Sequence, residues 1–130
     1  MATAEKKTAW KWFSLYIRTR DCIRTTGTIT HGKCITCEQI FPIEKLHAGH
    51  CIGGRTNAIL LDDEIVHAQC IRCNNYKSGN YEIYIPLIIE QKGIDWYNRK
   101  VMLSKIPVKI DFKAEAKKWR EKYNNLKESL

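Results

Sequence analysis

A chain of 130 residues, 44% of them apolar and 28% charged, has the length of one domain with a modest core and is too short for two independent enzymatic units. No apolar run approaches a membrane span, since the nearest, Tyr84–Ile89, is far too short and contains Pro86. A net charge of +8 and a pI near 9.2 suggest an anionic partner, with a solvated basic surface as the plainer alternative.

Residues 1 to about 7 read as a loose tail. Trp10, Phe13 and Ile17 then recur at three- and four-residue spacing, which predicts an amphipathic helix from Thr8 to near Asp21 with its aromatic stripe in the core. Thr- and Gly-rich residues 23–33, with β-branched Ile23 and Ile29, suit a short strand or hairpin. Phe41 to Ile52 has strand-like apolar positions and ends at the turn signal Gly53-Gly54. A second, mixed segment covers Ile59–Gln69, and a helix is expected from Cys70 to near Gly79. Beyond it, Tyr81–Gln91 and Ile94–Leu103 read as helices separated by Gly93, and Pro107 breaks the path. Asp111 is placed to cap a last helix whose stripe is Phe112, Ala116, Trp119, Tyr123 and Leu126. The whole reads as a single α+β domain in three parts: a basic helix and strand (1–33), a cysteine-bounded core (34–79) and a helical tail (80–130).

The charge follows these parts. Residues 1–33 carry seven Lys/Arg against two acids, residues 34–79 four against five, and residues 80–130 eleven against seven. Two basic flanks thus surround a slightly acidic centre, so a polyphosphate held by both would lie across it.

The centre is bounded by two Cys-x-x-Cys turns, Cys34/Cys37 and Cys70/Cys73, which are 32 residues apart and enclose three of the four histidines. Each such turn offers two thiolates along one edge of a tetrahedron, and two of them complete a closed structural zinc site. Disulfides are the competing use of six cysteines. Against them, Met1–Lys11 is polar and basic with no secretory apolar stretch, so a reducing, cytoplasmic setting is expected. Cys22 and Cys51 lack partners at ligand spacing and read as small buried apolar residues. His31 has no partner in register and receives no role.

Phosphodiester hydrolysis needs an activated water and charge neutralisation at the phosphate, which one histidine base and one divalent cation can supply. His47, His50, His67 and Asn74 are the side chains available for such a site. The run Cys34-x-x-Cys37, Ala48-Gly49-His50, Arg55, His67-Ala68-Gln69-Cys70-x-x-Cys73-Asn74 and Gly79-Asn80 resembles the phage lambda NinG (Rap) recombination nuclease family. That family is placed among the HNH, or ββα-metal, endonucleases. The likeness extends to an N-terminal helix, Ala9-Trp10 through Asp21-Cys22, and to a tail from Trp96 through Tyr123.

The resemblance implies a zinc-clamped ββα-metal core flanked by helices. His50 matches the general base that ends the first strand of HNH enzymes, and Asn74 matches the ligand of a catalytic Mg2+ or Mn2+ that follows the last cysteine. The four-cysteine Zn2+ would be structural and remote from the chemistry. The implied substrate is double-stranded or branched DNA, cut to leave 3′-hydroxyl and 5′-phosphate ends in the host cytoplasm. A resolvase-like reaction needs two sites, which suits a homodimer formed through the tail. Two positions depart from the pattern. Gly49 stands where many HNH motifs have an Asp or His, so His47 becomes the candidate ligand, reached through a bulge or bend at Gly49. Ile65 stands where the middle Asn is expected, so support for the base falls to His67, Gln69 or a backbone carbonyl. His50 and His67 are therefore the catalytic candidates, and Arg55 and Lys77 the candidates for holding the DNA backbone. The alternative from a different class is a non-catalytic, zinc-dependent nucleic-acid-binding module, for which Gly49 and Ile65 would mark a decayed motif.

Overall fold

The computed structural model describes residues 3–130. Helix α1 runs from Ala4 to Thr26, starting at Thr3, whose hydroxyl accepts from the Lys6 amide at 3.1 Å. It continues well past the Asp21 end read from the sequence. The hydroxyls of Thr25 and Thr26 bond back to the carbonyls of Asp21 and Cys22, at 2.7 and 3.0 Å. These bonds absorb the side chains that elsewhere favour a strand. The helix stops only at Gly27, which takes the left-handed conformation (φ 74°) and returns its amide to Ile23. The strand expected in 23–33 is therefore confined to β1, His31–Lys33.

Strand β1 pairs antiparallel with β2 (Ile40–Pro42), and the first Cys-x-x-Cys occupies the turn between them. A 3-10 turn at Ile43–Lys45 follows, so the single strand read over 41–52 is two pieces, the second being β3, Leu46–His50. After a loop and one helical turn, α2 (Asn57–Leu60), strand β4 (Val66–Cys70) pairs antiparallel with β3 in continuous register, His47 opposite Gln69 and Gly49 opposite His67. The expected helix over 70–79 is a short wide turn, Arg72–Tyr76, closed by bonds from the Gly79 amide to the carbonyls of Cys73 and Asn74. The tail holds α3 (Tyr81–Lys92), α4 (Ile94–Ser104) and α5 (Phe112–Glu128). As expected, Gly93 separates the first two, and Asp111 caps the last by accepting from the Ala114 amide at 3.1 Å. No helix among the described residues is long and apolar enough to cross a membrane.

Ala9, Phe13 and Ile17 of α1 are fully buried, and Phe13 and Ile17 share one core with Ala48 and Val66 of the β3–β4 pair and with Ile65, Tyr84, Ile88 and Trp119. The Trp119 and Phe13 rings meet nearly perpendicular, their centroids 4.8 Å apart, which docks α5 onto α1. A smaller cluster of Cys22, Leu46 and Ala68 joins the two sheets. Cys22 and Cys51 are both wholly buried, in keeping with a packing role. Arg20 and Asp21 form a buried pair at 2.9 Å whose remaining bonds grip β4: Asp21 accepts from the Ala68 amide, and Arg20 donates to the carbonyls of Asp63 and Val66, all at 2.8 Å. This pair sets the rotation of α1 against the sheet.

Candidate functional site

Cys34, Cys37, Cys70 and Cys73 converge so that their sulfur atoms all lie within 4.8 Å of one another. Sulfurs about 2.3 Å from one tetrahedral zinc lie about 3.8 Å apart, and the Cys37–Cys70 separation is 3.9 Å. None of the six cysteines is disulfide-bonded. Donors surround the cluster as thiolates require: the Cys73 amide points at Cys70 Sγ (3.4 Å) and the Asn80 amide nitrogen at Cys73 Sγ (3.6 Å). Burial pushes the Cys34 thiol up, but backbone hydrogen bonds and the Thr36 hydroxyl outweigh it and bring Cys34 down to about 7. Burial, and the neighbouring Cys34 and Cys70, push Cys37 up to about 12. A thiol that ionises readily beside neighbours held protonated by burial and by its charge suits a divalent cation that removes the repulsion, and the donor set and spacing fit zinc.

The histidines separate by face. Because residues 46–50 keep unbroken register with 66–70, no bulge forms at Gly49, and His47 and His50 point to opposite sides of β3. The bend expected there is absent because β4 pairs with every residue of the strand. On one side, His47 Nδ1 lies 3.0 Å from the Asn74 side-chain nitrogen. With Nδ1 accepting, the His47 proton sits on Nε2. In this arrangement the Nδ1 lone pair of the candidate ligand His47 is engaged by the Asn74 side chain. Burial and the nearby Arg18 keep His47 below its ordinary pKa, which favours this neutral form.

On the other side, His50 is 8% exposed, with its ring stacked on Trp10 at 5.6 Å and 15°. His50 Nε2 lies 3.0 Å from the Leu60 carbonyl, and a carbonyl can only accept, so Nε2 carries the proton and Nδ1 the lone pair. Burial lowers its pKa, so the ring is neutral near pH 7. Arg55 lies over the other partner of this pile, its guanidinium 4.4 Å from the Trp10 ring.

Beside the pile runs a groove of about 440 Å³ lined by Trp10, Arg18, Leu46, His47, Arg55 and Asn74, among others. Arg18 and Arg55 have no carboxylate within ion-pair distance among the described residues. Arg18 is aimed by the Ser14 hydroxyl at 3.1 Å and backbone carbonyl at 3.2 Å. Sequence reasoning missed Ser14 and Arg18 and assigned Trp10 to the core. The signal was present: 10, 14 and 18 are four residues apart and share one face of a helix.

His67 and Lys77 are not brought into this groove. Lys77 lies beside the cysteine cluster with Lys45 and Arg72. His67 faces a separate cavity with Asp21 and Arg24. The Tyr84 hydroxyl donates to the Gly49 carbonyl at 2.7 Å and accepts from His67 Nδ1 at 3.0 Å, while burial pulls His67 down to about 4. A neutral ring so engaged positions the Gly49 backbone through Tyr84. Tyr84→Phe removes the shared hydroxyl and should cost about 1–3 kcal/mol of stability for the polar groups left unpaired. A shift of the urea midpoint with zinc content unchanged would register that loss; an unmoved midpoint would count against the role.

These features define a small α+β protein with a four-cysteine metal-ligand cluster beside a basic groove. The chain belongs to the family described as bacteriophage lambda NinG protein, which it matches over residues 3–129. No curated protein and no solved structure gave a match.

Proposed function

We propose that the protein is a metal-dependent HNH endonuclease that hydrolyses DNA phosphodiester bonds, with branched or recombination intermediates as substrate. One observation carries the reading. A neutral, oriented histidine, His50, is stacked on Trp10, and Trp10 lines a groove where Asn74 and two cations without carboxylate partners, Arg18 and Arg55, come together. The order of strand β3, strand β4 and a short wide turn, with His50 ending the first strand and Asn74 on the turn, supports this reading, the turn standing where a ββα-metal core would have its helix. Arg18 and Arg55 would hold phosphates along the groove, and His50 Nδ1 would take the proton from the attacking water. A Mg2+ or Mn2+ ion at Asn74 would stabilise charge on the phosphate and leaving oxygen. Zn2+ at the four cysteines would hold the unit together. A branched substrate cut on two strands needs two sites, and exposed Met102, Leu103 and Ile106 at the end of α4 support a homodimer through the tail.

The test is direct. Zinc-loaded protein should nick supercoiled and branched DNA when Mg2+ or Mn2+ is added and leave both intact without it. The non-catalytic binding module draws on two observations, the near-complete burial of His50 and the placing of Ile65 wholly inside the core. Tight DNA binding with no cutting under any of these conditions would establish that second reading and defeat the first.

A further inference from the structure

The face of β3 that carries His47 and Gly49 holds one polar atom whose needs the protein does not meet. Gln69 is wholly buried, and its side-chain nitrogen donates to the Gly79 carbonyl at 2.9 Å and toward Thr36 Oγ1 at 3.3 Å. A carbonyl can only accept, so this bond settles which end of the amide is nitrogen and turns Oε1 the other way. Among the described residues Oε1 is the sole buried side-chain nitrogen or oxygen with no hydrogen-bond partner. Native interiors rarely leave such an acceptor alone.

Gly49 shows where that oxygen points. A Cβ built on Gly49 would collide with Gln69 Oε1 and would lie 3.0 Å from Asn74 Oδ1. Two amide oxygens therefore lie together beside Gly49, on the side where its side chain would begin. The Asn74 nitrogen is turned away from it, toward His47 Nδ1. Two neighbouring amide oxygens, one of them a buried acceptor without a donor, suit a hard cation between them, because Mg2+ and Mn2+ take oxygen ligands.

We infer that Gln69 Oε1 and Asn74 Oδ1 together ligate the divalent cation, with Gln69 standing in for the side chain that Gly49 lacks. The inference rests on the cation-dependent reading above for the existence of the ion. It accounts for Gly49 as a matter of space, since any side chain there would displace Oε1. Both ligands are neutral, which leaves most of the ion's charge for DNA phosphate to balance. Cation binding by the protein alone is then weak, and DNA tightens it.

The chain has three glutamines, and Gln39 and Gln91 are exposed, so [δ-13C]glutamine labelling of the zinc-loaded protein provides its own controls. Titration with Mg2+ should move the Gln69 resonance and leave the other two in place. The dry alternative is a rotated Asn74 amide whose nitrogen donates to Gln69 Oε1; it predicts no Mg2+-dependent shift at Gln69. A fixed Gln69 resonance while the Asn74 side-chain carbon moves, or while DNA is cut, overturns the inference and leaves the nuclease reading standing. A moving Gln69 resonance without DNA cleavage does the reverse. If neither carbon moves and no DNA is cut, both are lost. Variants supply a second measurement. Gln69→Ala should weaken Mn2+ binding at least tenfold with zinc retained. Adding Gly49→Asp to it should restore binding, since the carboxylate then enters the space that Gln69 vacated. Wild-type Mn2+ affinity in folded, zinc-bound Gln69→Ala would also overturn the inference.

Discussion

His50→Ala should lower the rate of metal-dependent DNA cleavage by about 10²–10⁴-fold, the usual contribution of a positioned general base, while zinc content and helical circular dichroism stay at wild-type values. The Leu60 carbonyl holds Nε2–H, so Nδ1 is the nitrogen left with a lone pair, and Trp10 fixes the plane of the ring. Burial disfavours the imidazolium, so His50 keeps that lone pair below its ordinary pKa of 6.5. The acid limb of the cleavage profile should accordingly lie below pH 6.5 while the protein remains zinc-bound. The same shift acts on stability. A histidine whose folded pKa is lowered contributes fully above its unfolded pKa and loses that contribution as the pH falls. His50→Asn is the informative companion, because its amide nitrogen can still donate to Leu60 while offering no base. Cleavage by both variants at the wild-type rate would remove His50 from the chemistry and leave its stack on Trp10 as its whole role.

Position along the chain explains why part of this arrangement was legible in the sequence. Metal-ligand spacing is a local property, so the two Cys-x-x-Cys turns announced their convergence despite the 32 residues between them. Alternation along a strand is also local, and it correctly warned that His47 and His50 would part unless β3 bent. The groove was not legible because its α1 wall depends on how that helix is rotated. The rotation is set by Arg20 and Asp21, charged residues near the predicted helix end, whose buried bonds to Val66, Ala68 and Asp63 no periodicity reports. The end of α1 was misread for a related reason. Ile23, Thr25 and Thr26 have strand-like propensity, but Asp21 must stay helical to reach β4, and the two threonine hydroxyls bond back along the helix. Tertiary anchoring overrode local preference there.

With zinc assigned to the four cysteines, as proposed, loss of the ion should be the most damaging change to the fold. A structural four-thiolate zinc contributes an apparent binding free energy of about 10–16 kcal/mol at neutral pH, whereas a whole domain is typically stable by about 5–15 kcal/mol. The cluster joins the β1–β2 turn to the end of β4 and to the turn that carries Asn74. Around it, the Ile35 amide bonds the Ala68 carbonyl at 2.9 Å, and the Gly79 amide closes on Cys73 at 3.0 Å. Cys70→Ser, or prolonged chelation, should therefore abolish bound zinc, the cooperative thermal transition and any cleavage together. Cys22→Ala and Cys51→Ala should each retain one zinc per chain and lose only packing energy, because both thiols sit in apolar clusters. Binding must also release protons, since burial and its thiol neighbours push Cys37 up to about 12 before a cation arrives. Zinc affinity should thus fall as the pH is lowered, and calorimetry in buffers of different ionisation enthalpy would count the protons displaced. Elemental analysis decides the matter: zinc retained stoichiometrically by folded Cys70→Ser would show that the four thiols are not the site that holds this fold together.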